Sequence, residues 1–253
     1  MCGRFTLAAS PEAVADFLGL EELEAFPPRY NIAPTQPILI AMNGPANNRQ
    51  GILVRWGLVP TWVKDPADFT LLINARSETA ATKPSFRSAM RHKRTLVPAT
   101  GFFEWHRPAD KKAPKQAYWV KPRQGEIVSF GGLMETWHSK DGAEIDSGCI
   151  LTCAANPKFA RIHHRMPVVI KPEDHEQWLD CKSGEPRDIA HMMQPVEEDF
   201  FEAVPISDKV NKVANSGPDI LEPLKEETTP VSPEKSSTRQ KKPKPDDGQF
   251  DLF

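Results

Sequence analysis

No stretch of this chain approaches the ~18 consecutive apolar residues that a membrane-spanning helix requires, and no membrane association is expected. The opening residues, MCGRFTLAAS, have neither the basic end nor the apolar stretch of a secretory signal, so export is not expected either. Cysteine is scarce. Four residues (Cys2, Cys149, Cys153 and Cys181), irregularly spaced, are too few for a disulfide framework, and a reducing cytosol fits them best. Charge of one sign is also lacking: 32 basic against 34 acidic residues give a net charge of −2. That excludes a histone-like protein and leaves room only for a local basic groove. There is no HExxH or paired CxxC, and the seven histidines are scattered, so neither a zinc site nor any other cofactor is expected. No Walker loop, GxGxxG or regular βαβ alternation appears, which disfavours a nucleotide-binding α/β enzyme.

What is present is enough to build a core, with 39% hydrophobic and 26% charged residues. Twenty-five prolines, about twice the average share, announce many loops. The chain divides unevenly, into a folded unit over 1–224 and a tail over 225–253. In the tail, Val231 is the only large aliphatic residue before Gly248, and six basic groups balance six acidic ones. Such a composition cannot offset its ordering entropy and is expected to be a disordered tether. Phe250, Leu252 and Phe253 then restore apolar character in QFDLF. In the folded part, Val14, Phe17, Leu18 and Leu23 recur at helical spacing and predict a helix over 11–26. Short β-branched runs at 37–42, 51–57, 95–99, 117–121, 126–133, 149–154 and 167–170 predict strands. Segments 85–93, 172–180 and 185–193 predict short helices. Many short strands with few helices define an α+β class, with a strongly curved, barrel-like, mainly antiparallel sheet. Cys149 and Cys153 fall on one face of a predicted strand and are expected in the core.

Cys2 is the first chemical signal. Loss of Met1 would leave a free α-amine and a thiol on adjacent carbons, with reference pKa values of about 7.7–8.0 and 8.5. Such a 1,2-aminothiol can act as an N-terminal nucleophile with its own amine as base. It can also trap an aldehyde, first as an imine and then as a five-membered thiazolidine, ring closure being favoured by effective molarity. Alone, Cys2 is equally an ordinary small residue near the chain's start.

The other segments shift that balance. MCGRF (1–5) is followed by RYNIAPTQ (29–36), RWGLVPTW (55–62), NARSET (74–79), GFFEW (101–105) and IHHRMP (162–167). In this order the set resembles the SOS-response-associated peptidase (SRAP) family, whose members shield abasic sites in single-stranded DNA. The resemblance runs from Met1 to about Leu224. It implies a single SRAP-like domain, with Cys2 as nucleophile and Asn74, Glu104 and His163 completing the catalytic set. It implies Arg4, Arg76 and Arg165 as phosphate-binding arginines and places Trp62 near an aromatic wedge beside the lesion. His164 falls on the variable position of its motif. The residue types agree with the chemistry. A histidine titrates near pH 7 and can open the sugar hemiacetal, while a partly buried carboxylate can move protons at the amine. An asparagine amide can position the amine or a sugar oxygen. Arginine forks suit phosphates, and aromatic rings can replace lost stacking at about 1–3 kcal/mol each. Each of these residues also has a plainer reading: Glu104 as an ion-pair partner, His163 as a structural histidine, Asn74 as a turn former, and the arginines as surface charges.

Other functions with a terminal cysteine remain open. A class II glutamine amidotransferase also begins MCG, but the chain is short for one and RYNIAPTQ is not its motif. A cysteine peptidase, removing its own Met1, is a second alternative, with lyase-like activity as a further expectation. A non-catalytic single-stranded DNA adaptor is a third. The tail carries a separate expectation. Gln249, Asp251, Leu252 and Phe253 in QFDLF resemble the peptide with which bacterial repair proteins dock on the replicative sliding clamp, Phe250 replacing a leucine. A bacterial, replication-fork-associated monomer bound to abasic single-stranded DNA is the expectation as a whole.

Overall fold

The computed structural model describes residues 2–44, 48–106, 108, 110 and 114–224. The tail over 225–253, with QFDLF, lies outside them. In chain order the elements are β1 (Phe5–Leu7), α1 (Pro11–Leu18), β2 (Arg29–Ile32), β3 (Pro37–Asn43), β4 (Arg49–Trp56), β5 (Asn74–Arg76), α2 (Ser77–Ala80) and α3 (Arg87–His92). They continue with β6 (Arg94–Ala99), β7 (Gly101–His106), β8 (Gln116–Pro122), β9 (Val128–His138), β10 (Glu144–Ala154), β11 (Arg165–Pro167), α4 (His175–Leu179) and β12 (Phe201–Ile206).

Two sheets share the core. One runs β12–β8–β7–β1–β2 and is antiparallel throughout. In the other, β10–β4–β3–β6–β9 are neighbours and β9 pairs again with β10, so five strands close into a barrel. β5 and β11 attach to β10 at its far end. Among the described residues, only β10–β4 and β10–β5 pair parallel. The expected α+β class with a barrel-like, mainly antiparallel sheet is the architecture observed. Closure brings backbones together tightly: a Cβ at Gly132 would come within 2.5 Å of Thr95 Oγ1 and 3.2 Å of Cys149 O.

Several expected boundaries move, each for a local reason. The helix expected over 11–26 begins as foreseen, with Ser10 Oγ capping Ala13 N at 3.2 Å and Pro11 in the first turn. It stops at Leu18 because Gly19 turns left-handed (φ 64°), a conformation that halts a helix at little cost only in glycine. The helix expected over 185–193 reduces to a 3₁₀ turn, Ala190–Met193. The 126–133 and 149–154 runs lengthen into the two strands of one long hairpin, β9 and β10, whose polar outer ends carry no apolar run to mark them. β1, β2, β5, β7 and β12 carry no distinct strand signal and form by pairing with neighbours. Cys149 and Cys153 are buried, as expected of core residues.

Candidate active site

The first sheet places the start of the chain. Phe5 pairs with Phe102 across β1–β7, and Phe103 N donates to Arg4 O at 2.9 Å, so the residues before β1 run along β7 toward Glu104. Arg4 fixes this segment: its guanidinium donates to Asn31 Oδ1 (2.8 Å), Val210 O (2.9 Å) and Asn211 O (3.2 Å). Asn31, from RYNIAPTQ, in turn donates to Lys212 O (3.2 Å) and Asn215 O (2.8 Å). Two residues from this clamp, Cys2 is buried with only 1% of its surface exposed. Burial raises its thiol pKa well above the usual range, and the neighbouring Glu104 charge raises it further. The positive chain terminus opposes both.

Glu104 itself is buried on β7, between Phe103 and Trp105. His163 arrives from the other sheet on the loop before β11. Phe159, buried against Phe102 (ring centroids 5.7 Å apart), anchors that loop, and Phe159 O accepts from His163 N at 3.1 Å. His163 Nδ1 then lies 4.0 Å from Glu104 Oε1. The same nitrogen is 3.0 Å from both Arg165 N and Arg165 O. The backbone thus offers both a donor and an acceptor at that ring nitrogen, which holds the ring in place. His164 stacks on it, centroids 4.3 Å apart. Desolvation first, and then positive neighbours led by His163, lower the His164 pKa.

Asn74 sits in β5 opposite Ile150, and its amide donates to Ile150 O at 3.3 Å. Its Oδ1 is buried with no hydrogen-bond partner among the described residues, which leaves an acceptor available to a ligand. Cys2, Glu104 and His163 therefore come together, while Asn74 stands in β5, beside β10.

The arginines and the tryptophan fall into different surroundings. Arg76 is exposed. Arg165 is buried and bound: it makes a forked pair with Glu78 (Nη1–Oε1 2.5 Å, Nη2–Oε2 2.9 Å) and also donates to Thr152 O. That pairing holds the Glu78 carboxyl below its ordinary pKa. Arg4 is held by the three bonds described above. Trp62 is 57% exposed on the loop after β4, its ring edge-on to Phe69 at 5.6 Å.

A cavity of about 590 Å³ adjoins the site, lined by Glu104, Trp105, Lys115, His163, Asp208 and Asn211 among others. Trp105 donates from Nε1 to Asn211 Oδ1 at 2.8 Å. Trp105, Lys115, Asp208 and Asn211 had not been singled out from the sequence. Trp105 at least stood inside GFFEW, whereas Lys115 and Asp208 lie in segments with no chemical signature. Among the described residues, no group of three His, Cys, Asp or Glu side chains is placed to hold a metal ion.

The first sheet and the loop before β11 thus bring a buried cysteine, a buried carboxylate and a histidine into one region. The pattern of the SOS response associated peptidase (SRAP) family matches residues 1–213, and the chain belongs to that family. It is 37% identical over 226 residues to the abasic site processing protein YoqW of Bacillus subtilis, covering 88% of this chain and 99% of that one. It is 32% identical over 235 residues to the abasic site processing protein YedK of Escherichia coli, covering 88% and 100%. A crystal structure of a Bacteroides thetaiotaomicron protein superposes with a TM-score of 0.77 at 28% identity, covering 88% of this chain and 99% of that one.

Proposed function

We propose that this protein processes abasic sites, binding single-stranded DNA that contains them and shielding each one as a covalent adduct on Cys2. The observation that carries the reading is the burial of Cys2 beside Glu104, with His163 4.0 Å from that carboxylate. The similarity to abasic site processing proteins over nearly the whole chain supports it.

In this mechanism, hydrolysis of the Met1–Cys2 peptide bond, with one water consumed and Met1 released, frees the Cys2 α-amine, self-cleavage aided by the Cys2 thiol being the route the family name favours. His163 moves the proton that opens the C1′ hemiacetal of the abasic sugar to its aldehyde. The amine adds to C1′, and water leaves as the imine forms, with Glu104 carrying the protons. The thiol sulfur then bonds to C1′ and its proton passes to the nitrogen, closing a thiazolidine with no atom gained or lost. A thiol held protonated by burial and by Glu104 suits this order, with the amine reacting first. Asn74 Oδ1 positions the amine or a sugar oxygen. Arg76 and Trp62 meet phosphate and base from their exposed positions, and Arg4 and Arg165 act by holding the Cys2 and His163 segments. β-elimination from the imine before ring closure gives the lyase-like side activity. Gln249, Asp251, Leu252 and Phe253 bring a monomer to the bacterial sliding clamp, placing it at replication forks.

Intact mass of the purified protein, alone and after incubation with an oligonucleotide whose uracil has been excised, tests processing and adduct together. Wild-type protein is expected to lack Met1 and to gain the mass of the oligonucleotide less one water, stable to denaturation without borohydride. Cys2→Ala should form no stable adduct. A wild-type-like adduct from Cys2→Ala would refute the mechanism, and ammonia release from glutamine would favour an amidotransferase instead.

A further inference from the structure

A second concavity lies away from Cys2. A groove of about 1000 Å³ lies between α1, the 20–26 segment that follows it, and the outer face of β3–β4. Its floor and walls are apolar, with Leu23, Phe26, Leu39 and Leu53 among them, and Leu53 is 65% exposed. An aliphatic side chain so exposed beside further apolar surface marks a place that something covers. The rim has one sign of charge: Glu12, Asp16, Glu21, Glu22 and Glu24 line it, and among the described residues no Lys or Arg does. A complementary occupant is therefore a short extended segment with bulky apolar side chains and a basic flank.

This chain carries such a segment. Residues 235–244 hold Lys235, Arg239, Lys241, Lys242 and Lys244 and no acidic residue; Asp246 and Asp247 then separate them from QFDLF, which itself contains Asp251. In an extended segment Phe250 and Leu252 point to one face, as a groove over a sheet requires. The described chain stops at Leu224, itself 44% exposed. From there to Gln249 an extended chain reaches up to about 80 Å. A domain of this size has a radius of gyration of about 17 Å, so the whole surface lies within reach.

We propose that the acid-rimmed groove is the docking site of the chain's own C-terminal segment, with Phe250 and Leu252 on the apolar floor and Lys241, Lys242 and Lys244 along the rim. Tethering makes the contact effectively intramolecular at roughly millimolar local concentration, so a segment with an intrinsic Kd of about 100 μM would be docked about nine-tenths of the time. Docking withholds QFDLF from any other partner, so clamp binding and groove occupancy compete. The proposal does not rest on abasic-site chemistry, because no residue of the groove belongs to the Cys2 site.

The test uses the full-length protein with Phe250 replaced by photoreactive p-benzoylphenylalanine, irradiated at low concentration and mapped by mass spectrometry. Intramolecular crosslinks are expected within residues 15–26 and 51–53. Their yield should fall about threefold or more when salt is raised to roughly 0.5 M, because the rim attraction is screened. The same loss is expected in Glu21→Lys/Glu22→Lys/Glu24→Lys, which alters exposed rim residues and leaves the core intact, and in Leu53→Lys. Crosslinks scattered over the surface, or indifferent to the rim variant, would overturn the proposal. So would crosslinks between chains that grow with protein concentration, since they would assign the groove to a second copy. Adduct formation with abasic oligonucleotide should be unchanged in Leu53→Lys, which separates failure of this inference from failure of the catalytic reading.

Discussion

Glu104 stands between two groups of the site. Burial first, and then the Glu104 charge, disfavour a thiolate at Cys2, while Glu104 Oε1 lies 4.0 Å from His163 Nδ1. A nucleophilic cysteine of the familiar kind is paired with a cation that lowers its pKa, whereas here the charge beside the sulfur has the wrong sign for a thiolate and the right sign for an ammonium or iminium. The site is thus built for amine-first chemistry. In Glu104→Gln the thiol loses one of the two influences that hold it protonated while its burial remains. Alkylation of Cys2 by iodoacetamide at pH 8, followed by peptide mass, should therefore be faster than in wild type by a few-fold, on the order of the change in thiolate fraction. Adduct formation with abasic DNA should slow in the same variant. Parallel slowing of both reactions would mean that Glu104 acts by holding the local structure, not by charge.

At the scale of elements, the three arginines that the motifs single out are separated by where their strands carry them. β10 stands between β5 and β11 and pairs Thr152 with both Arg76 and Pro167, so Arg76 and Arg165 flank one stretch of strand. Arg76 is left to solvent, whereas Arg165 is turned inward onto Glu78 and Thr152. Arg76→Ala should weaken binding to abasic single-stranded DNA and lower the slope of log K against log salt by up to about 0.7, the share of one phosphate contact. Arg165→Ala should leave that slope nearly unchanged. It should instead cost about 1–3 kcal/mol in urea unfolding, through lost charged hydrogen bonds. Equal slope changes in the two variants would contradict the division. This distinction was not legible in the sequence, where NARSET and IHHRMP each offer one arginine and nothing records which way it faces. Strands with β-branched runs, such as β3 and β6, could be read because burial on the barrel demands those residues. β1, which Cys2 precedes, and β5 and β7, which carry Asn74 and Glu104, could not be read as strands, being brief or glycine-led and stabilised by partners distant in sequence. The site was legible as residue types in sequence motifs, and its geometry was not. RYNIAPTQ shows the limit well. Its Asn31 is a clip tying β2 to the 210–215 segment, a structural duty that supports Arg4 and hence Cys2.

For the whole molecule, acid stability turns on a histidine remote from any motif. His175, at the start of α4, is buried, packs edge-on against Phe17 (5.5 Å), and its Nε2 lies 2.7 Å from Ser129 Oγ. Ser129 Oγ donates to Ile170 O at 2.6 Å, so it must accept from His175, which fixes the neutral ring with its proton on Nε2. Burial, and then the Arg49 charge, lower the His175 pKa from its ordinary value to about 4. The unfolded chain takes up a proton at this residue as pH falls through about 6.5, while the folded protein does not until about pH 4. Within that window the unfolded state binds more protons, so stability must fall with falling pH. At about 1.4 kcal/mol per unit, roughly 2–3 kcal/mol should be lost between pH 6.5 and pH 4.5, before the carboxylates with lowered pKa begin to titrate. His175→Gln keeps an amide donor for Ser129 and cannot titrate. It is expected to be somewhat less stable at pH 7 but to show a much flatter profile across this window. Urea unfolding at half-unit steps of pH measures both, and identical acid limbs in wild type and variant would show that the proton uptake belongs to another group.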